Sequence, residues 1–240
     1  MQKLFINETP QETLLLTGEQ ARHIAGSLRM KVGDMLTVTD GSGNDYGCQI
    51  TEITKDTVRL TVCYQQASDS EPSCRVTIYQ GVPKGAKLED VIQKCTELGI
   101  FRLVPTLTQR SISRPDEKSA AKKQVRYQKI ALEAAQQSGR GAVPEIAPQM
   151  TLKQAIAEDK SDIKIVFYEG GGAPLRTLMT KDVRSVSVYI GPEGGFDKAE
   201  VDAIVAGGAI CATLGKRILR TQTAPVAALT AIMLLTGNLE

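Results

Sequence analysis

Histidine is nearly absent from the sequence, since His23 is the single one in 240 residues. This excludes multi-histidine metal sites and leaves any Ser–His or Cys–His nucleophilic mechanism dependent on one side chain. The five cysteines form no C-x-x-C pair and are odd in number, so they indicate neither a thiolate zinc site nor a disulfide framework. We therefore expect reduced thiols and no bound metal.

A membrane-spanning segment is also missing from the pattern. The longest apolar run, Ala224 to Leu235, is interrupted by Pro225 and Thr230 and is shorter than the roughly 20 residues that cross a bilayer. The first residues contain no apolar signal-peptide core. These absences predict a cytoplasmic protein in which the run from Ala224 forms a helix covered on all sides.

A large net charge is lacking as well, because 29 basic residues nearly balance 27 acidic ones. Within residues 102–140, however, nine basic residues stand against three acidic ones. On a predicted helix over 116–137, four of the basic residues share one face: Lys118, Lys122, Arg126 and Lys129. Such a face suits the phosphates of a nucleic acid and also suits plain solvent, so the pattern leaves both open.

The first 70 residues have the pattern of short strands around one helix, which favours a small β-barrel. Thr17, with Gln20 three residues later, forms a capping-box pattern and predicts a helix that runs to about Leu28. The predicted strands are Met35–Thr39, Cys48–Ile53 and Thr57–Val62.

The segment 65–73 is polar and rich in small residues, as linkers are. We therefore divide the chain into domains 1–72 and 73–240. After the linker, strands alternate with helices, which is typical of an α/β domain with a mostly parallel sheet. The predicted strands are Arg75–Gly81, Phe101–Leu107, Ile163–Phe167, Ser185–Ile190 and Ala209–Leu214. The predicted helices are Leu88–Leu98 (ended by Gly99), Asp116–Gln137 and Ala224–Leu235.

Unusual loops follow three of these strands, at 168–172, 191–196 and 214–225. Ligands of α/β sheets bind at the carboxyl ends of the strands, where loops and helix N-termini present backbone N–H groups to one crevice. The three loops therefore predict one shared pocket.

The middle loop is the most informative of the three. Gly191, Gly194 and Gly195 lack Cβ atoms and allow backbone to approach a ligand closely, although a tight turn alone could also require them. Asp197 and Glu200 are expected to cap the helix that follows. The loop has neither the Gly-Lys-Ser/Thr ending of a P-loop nor G-x-G-x-x-G spacing, so ATP and NAD are poor candidates as ligands.

Taken together, Ile190-Gly-Pro-Glu-Gly-Gly-Phe196 and Leu214-Gly-Lys-Arg-Ile-Leu-Arg-Thr221 resemble the RsmE family, the small-subunit rRNA (uracil-N3)-methyltransferases of the SPOUT class. The resemblance covers nearly the whole chain. It implies an N-terminal PUA-like β-barrel, a C-terminal α/β domain tied in a trefoil knot, S-adenosylmethionine as cofactor, a homodimer and rRNA of the small subunit, free or assembled, as partner.

The resemblance, the three loops and the basic segment 102–140 together indicate the site residues. The expected cofactor-binding residues are Tyr168, Glu169, Gly191, Pro192, Glu193, Gly194, Leu214, Gly215, Ile218, Leu219, Thr223 and Ala224. The expected RNA-binding residues are Arg22, Arg29, Lys84, Arg110, Arg114, Lys122, Arg126 and Arg140.

Methylation of uracil N3 needs a base or a stabiliser of the developing imidate, because the N3 proton has a pKa well above neutrality. We expect Arg220 to be that stabiliser, with Glu193 or Glu169 as an orienting or basic group. A structural ion pair for Arg220 and a helix-terminus charge for Glu193 are the plain alternatives.

One position departs from the family pattern, since Gln222 stands where a glutamate is usual. The swap keeps the shape and removes the charge. A non-catalytic RNA-binding or ribosome-assembly factor therefore stays open. The alternative among enzymes is a SPOUT ribose 2′-O-methyltransferase, which would attack a hydroxyl instead of an imide.

Overall fold

The structure is a computed structural model that describes residues 3–6, 8–112 and 117–239. The chain divides into two compact units. The first contains Met1–Glu71 together with Ala135–Val143, and the second contains Pro72–Ala134 together with Pro144–Glu240.

The first unit is a five-stranded sheet with one short helix. Its strands are β1 (Lys3–Phe5), β2 (Thr13–Thr17), β3 (Met35–Thr39), β4 (Asn44–Ile53) and β5 (Thr57–Ala67). The order is β1-β3-β4-β5-β2, with β1 and β3 parallel and the other pairs antiparallel. The three predicted strands are confirmed, and two of them extend beyond their predicted ends because the β4–β5 ladder continues to Ala67.

Helix α1 (Gly18–Arg22) continues as a π-helical segment, His23–Ser27, so its end near Leu28 is confirmed. The predicted capping box at its start is wrong. The Thr17 hydroxyl makes no capping bond, and Gln20 Nε2 donates instead to the carbonyl oxygen of Phe5 at 2.9 Å. The Gln20 side-chain amide therefore binds β1 and does not cap the helix.

Residues 135–143 belong to the first unit, although the predicted boundary places them in the second. The Glu71 carboxylate holds them there, because it accepts bonds from Arg140 Nη2 at 2.6 Å and from the Gly141 N–H at 2.9 Å. Arg140 is only 4% exposed. Its predicted contact with RNA is therefore wrong, since the guanidinium is already buried against a carboxylate.

The second unit is built on a parallel sheet. Its strands are β6 (Arg75–Gly81), β7 (Arg102–Leu107), β8 (Glu145–Ile146), β9 (Met150–Thr151), β10 (Ile163–Phe167), β11 (Ala173–Pro174), β12 (Ser185–Ile190) and β13 (Ile210–Thr213). Its helices are α2 (Lys87–Glu97), α3 (Glu117–Ser138, whose last four residues fall in the first unit), α4 (Leu152–Glu158), α5 (Lys198–Ala206) and α6 (Thr223–Leu235).

The strand order is β11-β13-β10-β12-β6-β7-β8, with β9 also beside β7, and every pair is parallel. The predicted α/β class and all five predicted strands are confirmed. Gly99 ends α2 with φ +89°, as predicted from its place. The trefoil knot that the resemblance implies stays a prediction.

Both faces of this sheet are buried. Helices α4 and α5 pack Ala155 and Ile204 into the core that contains Val166 and Tyr189. Alternate strand residues such as Val188 point to the other face and are fully buried as well. Because both faces of the sheet are covered, the ends of its strands are the part that stays accessible, and the candidate site lies there.

No helix among the described residues has the length and apolarity needed to span a bilayer. The part of the chain that the structure describes also holds no cluster of three or more His, Cys, Asp or Glu side chains suited to a metal ion.

Candidate functional site

One cavity of about 750 Å³ lies where three loops meet at the carboxyl ends of β10, β12 and β13. These strands are neighbours in the sheet, which explains why loops distant in sequence share a pocket. Eleven of the twelve predicted cofactor-binding residues line it: Tyr168, Glu169, Gly191, Pro192, Glu193, Gly194, Leu214, Gly215, Ile218, Leu219 and Ala224. Thr223, the first residue of α6, is exposed and does not line the cavity.

The glycine turn, residues 191–195, needs its glycines for geometry. The Gly195 N–H donates to the Pro192 carbonyl at 2.9 Å, and Gly195 has φ +69°. A Cβ on Gly191 would lie 2.8 Å from the carbonyl carbon of Gly195, which no real side chain tolerates. Asp197 and Glu200 form the predicted capping box of α5 directly after the turn, which is confirmed.

The third loop is joined to this turn by a buried hydrogen-bond relay. The Thr221 hydroxyl donates to the Gly191 carbonyl at 3.0 Å and accepts from Gln80 Nε2 at 3.1 Å. Gln80 is fully buried at the carboxyl end of β6. The two segments on which the resemblance rests are therefore in direct contact.

Gly81 lets the glycine turn pack onto β6. A Cβ at this position would lie 2.5 Å from Pro192 Cδ and 2.6 Å from Pro192 N. Because the second atom belongs to the backbone, a side chain on residue 81 would displace the turn itself.

The Glu193 carboxylate accepts hydrogen bonds from two lysines. Its Oε1 accepts the backbone N–H of Lys84 at 3.1 Å and the Lys87 ammonium at 2.6 Å. Burial acts to raise the pKa of the Glu193 carboxyl, but the hydrogen bonds from Lys87 and Lys84 outweigh it and hold the pKa below its ordinary value. An anionic, ion-paired carboxylate is a weak proton acceptor, so the geometry suits an orienting role and opposes the basic one.

Arg110 fixes the other side of the turn. Its Nη1 donates to the Gly194 carbonyl at 2.7 Å, and its Nη2 lies 3.4 Å from an Asp197 carboxylate oxygen. The preceding N–H, that of Gln109, donates to the buried Glu200 carboxylate at 2.7 Å. The connection after β7 is thus attached to both the glycine turn and the start of α5.

Three cations lie at the rim of the cavity: Lys216, Arg217 and Arg220. All three are exposed, and none forms a hydrogen bond or ion pair through its side chain within the described ranges 3–6, 8–112 and 117–239. Glu169 is likewise exposed and lines the same cavity.

The other predicted RNA-binding residues are spread over both units. Arg22 and Arg29 are exposed in the first unit, and Lys84 and Lys122 are exposed in the second. Arg126 is also exposed but pairs with Glu89 at 2.7 Å. Arg114 lies outside the described residues.

Sequence reasoning missed six residues that shape the site. They are Gln80, Gly81, Lys87, Lys216, Arg217 and Thr221. Lys216, Arg217 and Thr221 stand inside the motif that carries the resemblance, so two adjacent cations in that loop were a signal available from sequence. The roles of Gln80, Gly81 and Lys87 depend on contacts between distant segments, and no local pattern reveals them.

Gln222 has a buried side-chain oxygen with no hydrogen-bond partner among the described residues. A carboxylate in the same place would bury a charge without a donor, which costs more than burying an amide. The amide at position 222 is therefore compatible with this environment.

Comparison with known families agrees with this geometry. The RNA methyltransferase domain family matches residues 70–233, and the RNA methyltransferase PUA domain family matches residues 16–63. The chain is a member of the RNA methyltransferases: the methyltransferase match covers the parallel sheet described above, and the PUA match lies in the first 71 residues.

Relatives narrow the assignment. Ribosomal RNA small subunit methyltransferase E of Bacillus subtilis is 36% identical over 97% of this chain and 96% of its own length. The same protein of Synechocystis is 31% identical over 92% of this chain and 73% of its own length. A crystal structure of a ribosomal RNA small subunit methyltransferase E from Neisseria gonorrhoeae, bound to S-adenosyl methionine, superposes on this chain with a TM-score of 0.89. The two chains are 28% identical, and the match covers 98% of each. The chain belongs to the ribosomal RNA small subunit methyltransferase E family.

Proposed function

We propose that this protein transfers a methyl group from S-adenosylmethionine to N3 of a uridine in small-subunit rRNA. The observation that carries the proposal is the Thr221–Gly191 hydrogen bond. This bond joins the glycine turn to the loop 214–222, which connects β13 to α6, and both segments line the same cavity. The name of the relatives supports the rRNA substrate, and the Neisseria gonorrhoeae structure supports the cofactor.

The residues around the cavity fit such a cofactor. Its volume of about 750 Å³ is within the usual 300–1,000 Å³ of small-molecule sites. Leu214 and Leu219 offer apolar contact for an adenine ring, and Glu169 offers a carboxylate to a positively charged ligand. When bound, the cofactor supplies an electrophilic methyl group on a sulfonium sulfur.

Arg220 is the proposed catalytic residue. As N3 of the uracil gives its proton to solvent water at the exposed cavity rim, negative charge develops on the ring oxygens, and a neighbouring guanidinium stabilises that charge. The exposed Arg220 guanidinium at the cavity rim is available for this contact. Glu193 keeps the glycine turn in place through Lys84 and Lys87, and the lowered pKa of its carboxyl makes it a poor base.

The proposal has two further parts. The protein forms a homodimer, and it acts in the cytoplasm on rRNA that is either free or assembled into the small subunit. Helix α6 buries Leu229 and Met233 but leaves Leu234 54% exposed, and a second copy would cover that side chain. Light scattering of the purified protein is expected to give the mass of a dimer. A monomer at micromolar concentration would contradict the dimer without affecting the methyltransferase assignment.

Mass spectrometry of nucleosides tests the activity. Small-subunit rRNA from cells that lack this protein should contain less 3-methyluridine, and the purified protein with S-adenosylmethionine should restore it. Restoration of a 2′-O-methylated nucleoside instead would indicate the ribose methyltransferase. Tight binding of rRNA with no methylated product would indicate a non-catalytic assembly factor.

A further inference from the structure

The loop that follows β13 carries two cations, Lys216 and Arg217, whose side chains bind no other group among the described residues. Near its start, the Gly215 N–H donates to the Thr213 hydroxyl at 3.1 Å. Near its end, the Arg220 carbonyl accepts the N–H groups of Thr223 at 2.8 Å and Ala224 at 2.9 Å. Lys216 and Arg217 lie between these anchors and line the cavity.

Two other cations at this site, Lys87 and Arg110, have partners among the described residues, whereas Lys216 and Arg217 do not. Lys87 pairs with Glu193, and Arg110 binds the glycine turn and Asp197. Lys216 and Arg217 are exposed and make no side-chain hydrogen bond or ion pair within the described part of the chain. Two adjacent like charges repel each other, so an anionic ligand would relieve an unfavourable arrangement.

The cofactor is a poor match for these charges. S-adenosylmethionine carries a sulfonium and an ammonium against a single carboxylate, so its net charge is positive and a cationic rim opposes it. RNA carries one phosphate on each side of every internal nucleotide, and Lys and Arg are the side chains that grip phosphates. A base that reacts in this cavity places its own two phosphates at the rim.

We propose that Lys216 and Arg217 bind the phosphates that flank the target uridine and so hold that nucleotide at the mouth of the cavity. This inference rests on the proposed function, because it requires RNA as the substrate. It assigns Lys216 and Arg217 to the substrate, and it leaves Glu169, the glycine turn and the apolar side chains of Leu214 and Leu219 to the cofactor.

Salt-dependent RNA binding tests the inference. The variants are Lys216→Ala, Arg217→Ala, their combination, and Arg217→Lys, with small-subunit rRNA as the ligand. Each lost phosphate contact should reduce the slope of log Kd against log salt by about 0.7 to 0.9. The double variant should bind on the order of tenfold more weakly near physiological salt, while Arg217→Lys keeps most of the affinity. Arg176→Ala, an exposed cation in the same unit that does not line the cavity, is the matched control.

Titration with S-adenosylmethionine separates the two proposals. The double variant should bind the cofactor within about twofold of the wild type, which also shows that it is folded. Unchanged RNA affinity and salt slope in the double variant would overturn the inference, and so would weaker cofactor binding with RNA binding intact. If the wild type methylates rRNA and the double variant does so equally well, the inference alone fails. If the wild type neither binds nor methylates rRNA, the proposed function fails with it.

Discussion

The Thr221 hydroxyl donates a 3.0 Å hydrogen bond to the carbonyl oxygen of Gly191. These residues are 30 positions apart and belong to loops that leave β12 and β13. The same hydroxyl accepts a bond from the buried Gln80, so one side chain connects β6, the glycine turn and the loop 214–222. Both edges of the cavity therefore depend on Thr221.

Thr221→Val should destabilise the fold. Valine has the shape of threonine but cannot bond to Gly191 or Gln80, and unpaired buried polar groups cost roughly 1–3 kcal/mol. Thermal denaturation should show a lower Tm than the wild type. Thr230→Val is the matched control, because the Thr230 hydroxyl donates to the Val226 carbonyl of its own helix and links no second loop among the described residues. Equal Tm values for the two variants would show that the relay contributes nothing to stability.

Arg110→Ala should weaken cofactor binding rather than RNA binding. Loss of the bond to the Gly194 carbonyl frees one side of the glycine turn, and we expect the Kd for S-adenosylmethionine to rise about three- to tenfold, which corresponds to the roughly 0.5–1.5 kcal/mol of a typical net hydrogen bond. Arg126→Ala, which removes an exposed pair with Glu89, should leave cofactor affinity unchanged. If Arg110→Ala lowers RNA affinity and spares the cofactor, its predicted role as an RNA-binding residue is the right one.

Gly81→Ala should displace the glycine turn, since the new Cβ meets the backbone of Pro192 and Gly191 at less than 3.0 Å. We expect weaker cofactor binding and a lower Tm, measured by calorimetry and thermal denaturation. Gly26→Ala adds a Cβ that meets nothing within 4 Å and should be tolerated. Wild-type cofactor affinity in Gly81→Ala would mean that the turn is free to move without affecting the cavity.

Glu193→Gln should separate orientation from proton transfer. The bonds from Lys87 and Lys84 hold the pKa of the Glu193 carboxyl below its ordinary value, so its ion pair is complete at neutral pH. That pair is lost only when the pH falls through the lowered pKa, in the acidic range. The variant should raise KM for the cofactor, change kcat little, and leave the pH profile of turnover near neutrality unaltered. Turnover slowed about a hundredfold or more, with loss of one limb of the profile, would instead identify Glu193 as the base.

Arg220→Ala should slow turnover about a hundredfold, the usual cost of removing one donor to a developing oxyanion. The Kd for S-adenosylmethionine should stay within about twofold, and Arg220→Lys should recover part of the rate. Single-turnover methyl transfer to small-subunit rRNA measures the effect. Unchanged turnover in Arg220→Ala would remove this residue from the mechanism.

Much of the second unit could be predicted from sequence because its signals are local. Apolar runs such as β10 and β12 and the glycine that ends α2 follow from burial and backbone geometry alone. Helix α4 is not among the predicted helices, although Thr151 and Gln154 form a capping box at its start. The short strands β8, β9 and β11, of two residues each, carry too few residues to show any period.

The position of the site could be predicted from the sequence, but the roles of its residues could be predicted only in part. The glycines and the three strand ends indicate the cavity, because strand neighbours bring those loops together. Arg110 shows the limit, since a basic residue has the same sequence signal whether it binds a phosphate or a carbonyl oxygen. Arg140 shows it again, because its partner Glu71 is 69 residues away.

Calorimetric titration with S-adenosylmethionine tests the central claim most directly, namely that the glycine turn and the loop 214–222 together form the cofactor cavity. The wild type and Thr230→Val should bind one cofactor per chain with equal affinity, and Thr221→Val should bind about tenfold more weakly. No binding by the wild type, or wild-type affinity in a folded Thr221→Val, would contradict the claim.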